Sequence, residues 1–166
     1  LIFFWSLSML QIYNIKENPN IINFSLLGIF VGLAFLSKYA AIYFIICLIL
    51  LLFIEKDFRE IFFRKKIYSL YFILTIILII MPNIIWNINN DWTTFQHTAD
   101  NAGLKRIKLN LFGSIEFIVS QIFMIGPVVF FFFVFGFNKY TTSDFNTRFL
   151  LVFSIPIFII TIITIQ

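Results

Sequence analysis

The sequence predicts an all-α protein that crosses a membrane several times. The chain of 166 residues is 61% hydrophobic and only 12% charged, whereas an ordinary soluble domain carries about 25% charged residues. Its mean hydropathy is +0.99. The apolar runs are continuous and do not alternate with polar residues, which favours helices over the strands of a membrane barrel. We expect one polytopic, integral-membrane helical domain over residues 1–166.

Six apolar runs are candidate spans: Leu1–Tyr13, Ile21–Leu36, Tyr39–Ile54, Ile67–Trp86, Leu109–Phe137 and Phe149–Ile165. The fourth run is long enough to cross about 30 Å of hydrocarbon at about 1.5 Å per residue. The first is short for a complete span, and the last ends directly before Gln166. We therefore expect the chain to be a fragment, cut at both ends.

The second and third runs are predicted to form separate helices. A single helix from Ile21 to Ile54 would be about 50 Å long, and no ordinary tilt fits that length into a core of about 30 Å. We expect two antiparallel spans that turn at Ser37 and Lys38.

Basic residues predict the orientation, because Lys and Arg in short loops concentrate on the cytoplasmic side of a membrane. The loop Glu55–Lys66 holds Lys56, Arg59, Arg64, Lys65 and Lys66. This loop is therefore predicted to be cytoplasmic, while Lys38 and the polar segment Asn87–Lys108 face the periplasm or lumen.

The longest polar stretch, Met81–Lys108, holds the only histidine, His97. His97 could be a proton shuttle, a phosphate ligand or an ordinary loop residue. A lone histidine is a poor metal ligand, so we expect no metal site. Lys105, Arg106 and Lys108 lie on the predicted outer face, against the prevailing charge bias, and suit an anionic ligand. Anchoring of the next span to lipid headgroups is the alternative.

Lys38 stands between two apolar runs. A charge at the centre of a bilayer costs about 2.5 to 3.5 kcal/mol on insertion scales, so such residues are usually functional or close to an interface. The residues alone leave two roles open: a functional charge, and a turn lysine whose side chain reaches water.

Glu116 is the only acidic residue inside a predicted span. Helical spacing puts Gly113, Glu116 and Ser120 on one face, and Ser114 and Gln121 on an adjoining stripe. We expect this polar arc, with Glu116 and Gln121, to line a wet cavity or face other helices. The alternative is that these groups only hold helices together.

Several chemistries find no support in the sequence. It contains no nucleotide-binding glycine loop, no paired-cysteine metal site and no serine triad, and Cys47 stands alone in an apolar run. The net charge of +4 is explained by the basic loops of a membrane protein. We therefore expect neither nucleic-acid binding nor a cofactor.

Three motifs occur in order: GLAFLSKYA at Gly32–Ala40, PNIIWNINNDWTTFQH at Pro82–His97 and EFIVSQIFMIGP at Glu116–Pro127. Their order and separations resemble the bacterial members of glycosyltransferase family 39, which are related to protein O-mannosyltransferases and to the lipid A aminoarabinose transferase. The resemblance covers most of the chain, from about the second span onward.

The resemblance implies a large all-helical membrane fold of the GT-C type, in the inner (plasma) membrane of a bacterial cell and with the segment Asn87–Lys108 outside. Such enzymes transfer a sugar from a polyprenyl-phosphate carrier to a lipid, glycan or protein acceptor on the outer face. Lys38, His97, Lys105 and Arg106 would then bind the donor phosphate. The acid that activates the acceptor would lie ahead of this chain, so the resemblance assigns no general base here and implies that the fragment is inactive alone.

A membrane transporter or lipid flippase is the alternative function, with Lys38 and Glu116 lining a substrate path. Transporters commonly show inverted repeats and broken helices, whereas this sequence has a large polar loop and no internal repeat. We therefore favour the enzyme.

The predicted orientation can be tested by labelling single cysteines in the full-length protein after its own cysteines are replaced. On intact cells, an impermeant maleimide should label cysteine at Asn90 and leave cysteine at Lys66 unlabelled. Labelling of Lys66 without Asn90 would reverse the topology.

Overall fold

The computed structural model describes residues 1–101, 111–125 and 144–164, which are helical with no strand among them. This confirms the predicted all-α class. Contacts divide the chain into two compact units, Leu1–Thr98 and Ala99–Gln166. The helices are α1 (Ile2–Glu17), α2 (Ile21–Ser37), a 3-10 turn (Tyr39–Ala41), α3 (Ile42–Ile54), α4 (Lys56–Arg64), α5 (Lys66–Asn89), α6 (Thr93–Asn101), α7 (Leu111–Ile125) and α8 (Phe145–Thr164).

The prediction of six spans is too high for the described part of the chain. There, two helices are long and apolar enough to cross a membrane, Lys66–Asn89 and Phe145–Ile162. The number rises to three if the bent pair Tyr39–Ile54 and Lys56–Arg64 is counted as one span. The prediction counted short apolar runs as full crossings: α1 has 16 residues and α2 has 17, whereas a crossing needs about 20. Part of the predicted span Leu109–Phe137 lies outside the described residues.

The chain breaks where the sequence predicts a turn. Asn20 caps the start of α2, since its Oδ1 accepts a hydrogen bond from the Asn23 N–H at 2.9 Å. The helix ends at Ser37, and Lys38 has an extended backbone with φ −164° and ψ 129°. The predicted break at Ser37 and Lys38 is therefore confirmed.

Two glycines bring α2 close to α5. A Cβ on Gly28 would meet Thr75 Oγ1 and would lie 2.5 Å from the Phe72 carbonyl oxygen. A Cβ on Gly32 would lie 2.9 Å from Ile79 Cβ. One turn forward on α2 thus corresponds to one turn forward on α5, so the two helices run parallel.

The chain returns from the end of α2 to the start of α5 through α3 and α4. At one end, Tyr39 Oη donates to Asn83 Oδ1, late in α5, at 3.1 Å. At the other end, the ring of Phe62 in α4 lies 5.2 Å from that of Phe24, early in α2. α3 therefore runs antiparallel to α2, and the chain then bends by 107° into α4.

The polar segment predicted to be an outer loop is partly helical. α5 continues past Pro82 to Asn89, and α6 follows after a short turn. Sequence pattern did not predict α6, because most of its residues are polar. Its Phe95 packs on Tyr39, and local pattern could not predict this contact because the two residues are far apart in the sequence.

In the second unit, α7 packs on α8. Ser114 Oγ donates to the Ile162 carbonyl oxygen at 2.9 Å, and the rings of Phe117 and Phe158 lie 5.9 Å apart. A serine that bonds to a neighbouring backbone satisfies its polar group without water, as helices in a membrane require.

The close α2–α5 contact predicts that alanine at Gly28 destabilises the protein, although alanine is the better helix former. Alanine normally stabilises a helix relative to glycine by about 0.5–1 kcal/mol. In the full-length protein, Gly28→Ala should instead lower stability by about 1–3 kcal/mol, because the added methyl meets the Phe72 backbone, which cannot move aside. Thermal unfolding in detergent measures the change.

Ile22→Phe is the matched control, since it enlarges an exposed side chain of the same helix. It should leave the melting temperature nearly unchanged. A rise in melting temperature for Gly28→Ala would contradict the close packing.

Candidate functional site

The candidate site lies at the end of the first unit where α2 stops, which we name the Lys38 end. It consists of Lys38, the 3-10 turn that follows, the last turns of α5 and the start of α6. The Lys38 side chain is exposed. Its backbone carbonyl accepts a hydrogen bond from the Ala41 N–H at 2.9 Å, which ties this charged residue into the turn.

Tyr39 connects the turn to both neighbouring helices. Its hydroxyl donates to Asn83 Oδ1 at 3.1 Å. Its ring stacks on Phe95 of α6, with centroids 4.5 Å apart and planes inclined by 15°. Both ends of the side chain are therefore held, and the backbone of the adjacent Lys38 is held with it.

Asn87 is the buried centre of this end, with 0% of its surface exposed. Its Nδ2 donates to the Asn83 carbonyl oxygen at 2.9 Å and to Asn83 Oδ1 at 3.3 Å. Its Oδ1 accepts a hydrogen bond from Thr94 Oγ1. A buried amide is costly unless its hydrogen bonds are made, and here the bond with Thr94 joins α5 to α6.

The turn between α5 and α6 is a Schellman-type helix end. The Trp92 N–H donates to the Asn87 carbonyl oxygen at 2.9 Å, which is the 6→1 bond of that motif. Asp91 and Trp92 both have left-handed backbones, with φ of 52° and 57°. Gln96 Nε2 donates to the Asp91 carbonyl oxygen at 3.0 Å, so a side chain of α6 also holds the turn.

Two of the predicted phosphate ligands fall at the Lys38 end. Lys38 precedes Tyr39, and His97 lies two residues after Phe95 on α6 with an exposed side chain. The Tyr39–Phe95 stack therefore brings the segments carrying both residues together. Lys105 and Arg106 lie outside the described residues.

The predicted polar arc on α7 divides into two parts. Ser114 faces α8, and Gln121, which shares its stripe by seven-residue spacing, is half-buried. Glu116 is exposed. Over the described ranges, no group of three or more His, Cys, Asp or Glu side chains could hold a metal ion.

Sequence reasoning missed the residues that organise the Lys38 end. Tyr39, Asn83 and Asn87 all occur in the quoted motifs, and the four-residue spacing of the two asparagines places them on one helix face. That spacing was a usable signal for a polar contact. Their partners were not predictable from local pattern, because Tyr39 and Asn83 are separated by 44 positions.

Residues 1–86 match the family described as dolichyl-phosphate-mannose-protein mannosyltransferase. The match covers more than half of the 166 residues, so the chain belongs to this family of GT-C type membrane glycosyltransferases. The predicted resemblance to glycosyltransferase family 39 is thereby confirmed. The alternative function, a transporter or flippase, gains no support from this membership.

A relative with a named activity is the lipid A galacturonosyltransferase RgtD of Rhizobium johnstonii. It is 28% identical over 135 residues, which cover 79% of this chain and 27% of the relative. The chain thus spans about a quarter of that protein's length. No solved structure matches the chain.

The buried amide gives a prediction for the full-length protein. Asn87→Ala should lower stability by about 1–3 kcal/mol, since it removes the side-chain hydrogen bonds to Asn83 and Thr94, each of which contributes about 0.5–1.5 kcal/mol. The melting temperature in detergent measures this. Asn90→Ala is the control, because its exposed amide also donates to a backbone carbonyl, that of Trp86 at 2.7 Å. Equal effects of the two substitutions would argue against a special role for Asn87.

Proposed function

We propose that this chain is a segment of a membrane glycosyltransferase that transfers a sugar from a polyprenyl-phosphate donor to a lipid, glycan or protein acceptor. The family description names a dolichyl-phosphate sugar, a donor of this lipid class. The long apolar helices fit such a donor, because its hydrocarbon tail partitions into the bilayer. The proposal includes several acceptor classes, because the family description names protein and the relative's name gives lipid A.

Lys38 is proposed as the primary ligand of the donor phosphate. The observation that carries this proposal is an exposed cation at a break between two apolar helices, with its neighbour Tyr39 fixed by Asn83 and Phe95. A fixed backbone limits where the ammonium group can lie, and a preorganised charge stabilises an anion better than a mobile one. Ligands of a lipid-linked phosphate also need to lie near the end of a membrane helix.

In the proposed reaction, an acceptor hydroxyl oxygen attacks the anomeric carbon of the donor sugar. The bond from that carbon to the phosphate oxygen breaks, and its electron pair stays on the departing phosphate. Lys38 stabilises the charge that develops there. The acceptor proton passes to a carboxylate that the family resemblance assigns to a segment ahead of this chain.

His97, Lys105 and Arg106 are proposed to complete the phosphate site. The segment carrying His97 lies beside the Lys38 turn, and the two basic residues follow α6 within five positions of its last residue. We also propose that Glu116, which is exposed on α7, lines a polar cavity together with Gln121. The proposed site faces the outer side of a bacterial inner membrane.

Removal of single charges tests the phosphate site. In the full-length enzyme, Lys38→Ala or Arg106→Ala should weaken donor binding or slow transfer by about tenfold or more, because a hydrogen bond to a charged group contributes about 1.5–3 kcal/mol. Purified variants are assayed with a polyprenyl-phosphate sugar, and melting temperatures are recorded in parallel.

Lys56→Ala is the matched control, since Lys56 is an exposed lysine on α4, near Glu60 at 4.0 Å. Its turnover should match that of the wild type. If Lys38 and Arg106 only anchor helices to headgroups, their loss should reduce stability while turnover per folded molecule stays unchanged. That result would refute the phosphate site.

A further inference from the structure

The corner between α4 and α5 carries three consecutive basic residues, Arg64, Lys65 and Lys66, all with exposed side chains. We name them the basic corner. We propose that the basic corner binds the phosphate groups of anionic phospholipids in the leaflet next to α4. This inference concerns the opposite end of the first unit from Lys38 and does not depend on the proposed function.

The helix that leads to the basic corner lies at the membrane surface. The chain bends by 107° as it passes from the apolar α3 into α4. Of the nine residues of α4, five are charged: Lys56, Asp57, Arg59, Glu60 and Arg64. Charged side chains are costly inside hydrocarbon, so the bend takes α4 out of the bilayer core instead of continuing a crossing.

The basic corner lies at the boundary between hydrocarbon and water. α5 begins at Lys66 and is a candidate membrane span of 24 residues. Its first apolar residue, Ile67, is 59% exposed, and Phe63, just before the corner, is 55% exposed. Three cations flanked by exposed apolar side chains match the chemistry of an anionic lipid, whose phosphate lies directly above its acyl chains.

The charges on α4 are separated along the helix, which leaves the basic corner positive. Asp57 lies in the first turn, and Glu60 is 4.0 Å from Lys56. Lys65 Nζ lies 3.5 Å from Tyr68 Oη and 4.8 Å from the centre of its ring. Within the described chain, the basic corner forms no ion pair with a carboxylate, so its positive charge is available to lipid phosphates.

Lipid binding at the basic corner should stabilise the helix pair beneath it. The apolar side of α4 is already used inside the protein, where Phe58 and Phe62 are buried. Phe62 contacts Phe72 of α5, with ring centroids 5.7 Å apart, as well as Phe24 of α2. Holding α4 at the surface therefore holds the contact between the starts of α2 and α5.

The test uses the purified full-length protein in nanodiscs of phosphatidylcholine, with and without phosphatidylglycerol. Phosphatidylglycerol should raise the melting temperature of the wild type, and the triple variant Arg64→Gln, Lys65→Gln, Lys66→Gln should lose at least half of that rise. Native mass spectrometry of the released protein should show phosphatidylglycerol binding weakened about fivefold for each charge removed.

The matched control is Lys56→Gln with Arg59→Gln, which neutralises basic residues of α4 away from the corner. It should keep the lipid-dependent rise. If the triple variant does not fold, Lys66→Gln alone should still lose part of the rise. An undiminished rise in the corner variants overturns the proposal, as does an equal loss in the control. The undiminished rise would be expected if the corner served an acidic protein surface instead.

Discussion

The close contact of α2 with α5 sets the geometry of the whole first unit. Helices in a bilayer gain little from the hydrophobic effect when they associate, so van der Waals contact at short range has to hold them. Gly28 and Gly32 provide this contact because they have no Cβ to separate the backbones. Thr75 packs against Gly28 while its hydroxyl donates a shared hydrogen bond to the Tyr71 and Phe72 carbonyls of its own helix, so this hydroxyl is satisfied within α5. One turn beyond Ile79, the same register brings Asn83 within reach of Tyr39.

The break at Lys38 places polar residues at the end of the paired helices α2 and α5. A helix end leaves backbone groups without partners, and here Ser37 Oγ donates to the Ala34 carbonyl oxygen at 2.7 Å. The Ala34 carbonyl oxygen also accepts from the Lys38 N–H, and the Lys38 carbonyl oxygen accepts from the Ala41 N–H, so these backbone groups of the break are paired locally. The tyrosine that follows then reaches across to α5 and α6. The same residues that end a helix consequently build the candidate site.

Sequence pattern could predict the helical class and the break at Lys38, because bilayer thickness limits helix length and composition reports burial in lipid. It did not give the number of spans, since an apolar helix such as α2, with 17 residues, is shorter than the usual crossing of about 20 residues. Nor could it identify Asn87 as buried, because asparagine is usually exposed and its burial here depends on Thr94 and on the turn between them. The small-residue spacing of Gly28 and Gly32 was readable as a helix-packing motif, although it did not name α5 as the partner.

The turn at Asp91 and Trp92 shows how the site depends on contacts rather than on local preference. A left-handed backbone costs a residue other than glycine about 1–2 kcal/mol, and asparagine or aspartate tolerates it better than tryptophan does. Two aromatic contacts offset the strain at Trp92. The Trp92 ring contacts Phe95 at 5.4 Å between centroids, and the turn directs α6 so that Phe95 stacks on Tyr39. The Trp92–Phe95 contact is local to the turn, whereas the Tyr39–Phe95 stack also requires α2, α5 and the Lys38 turn to be in register. The geometry around Lys38 therefore depends on the packing of α2 against α5 as well as on the local turn.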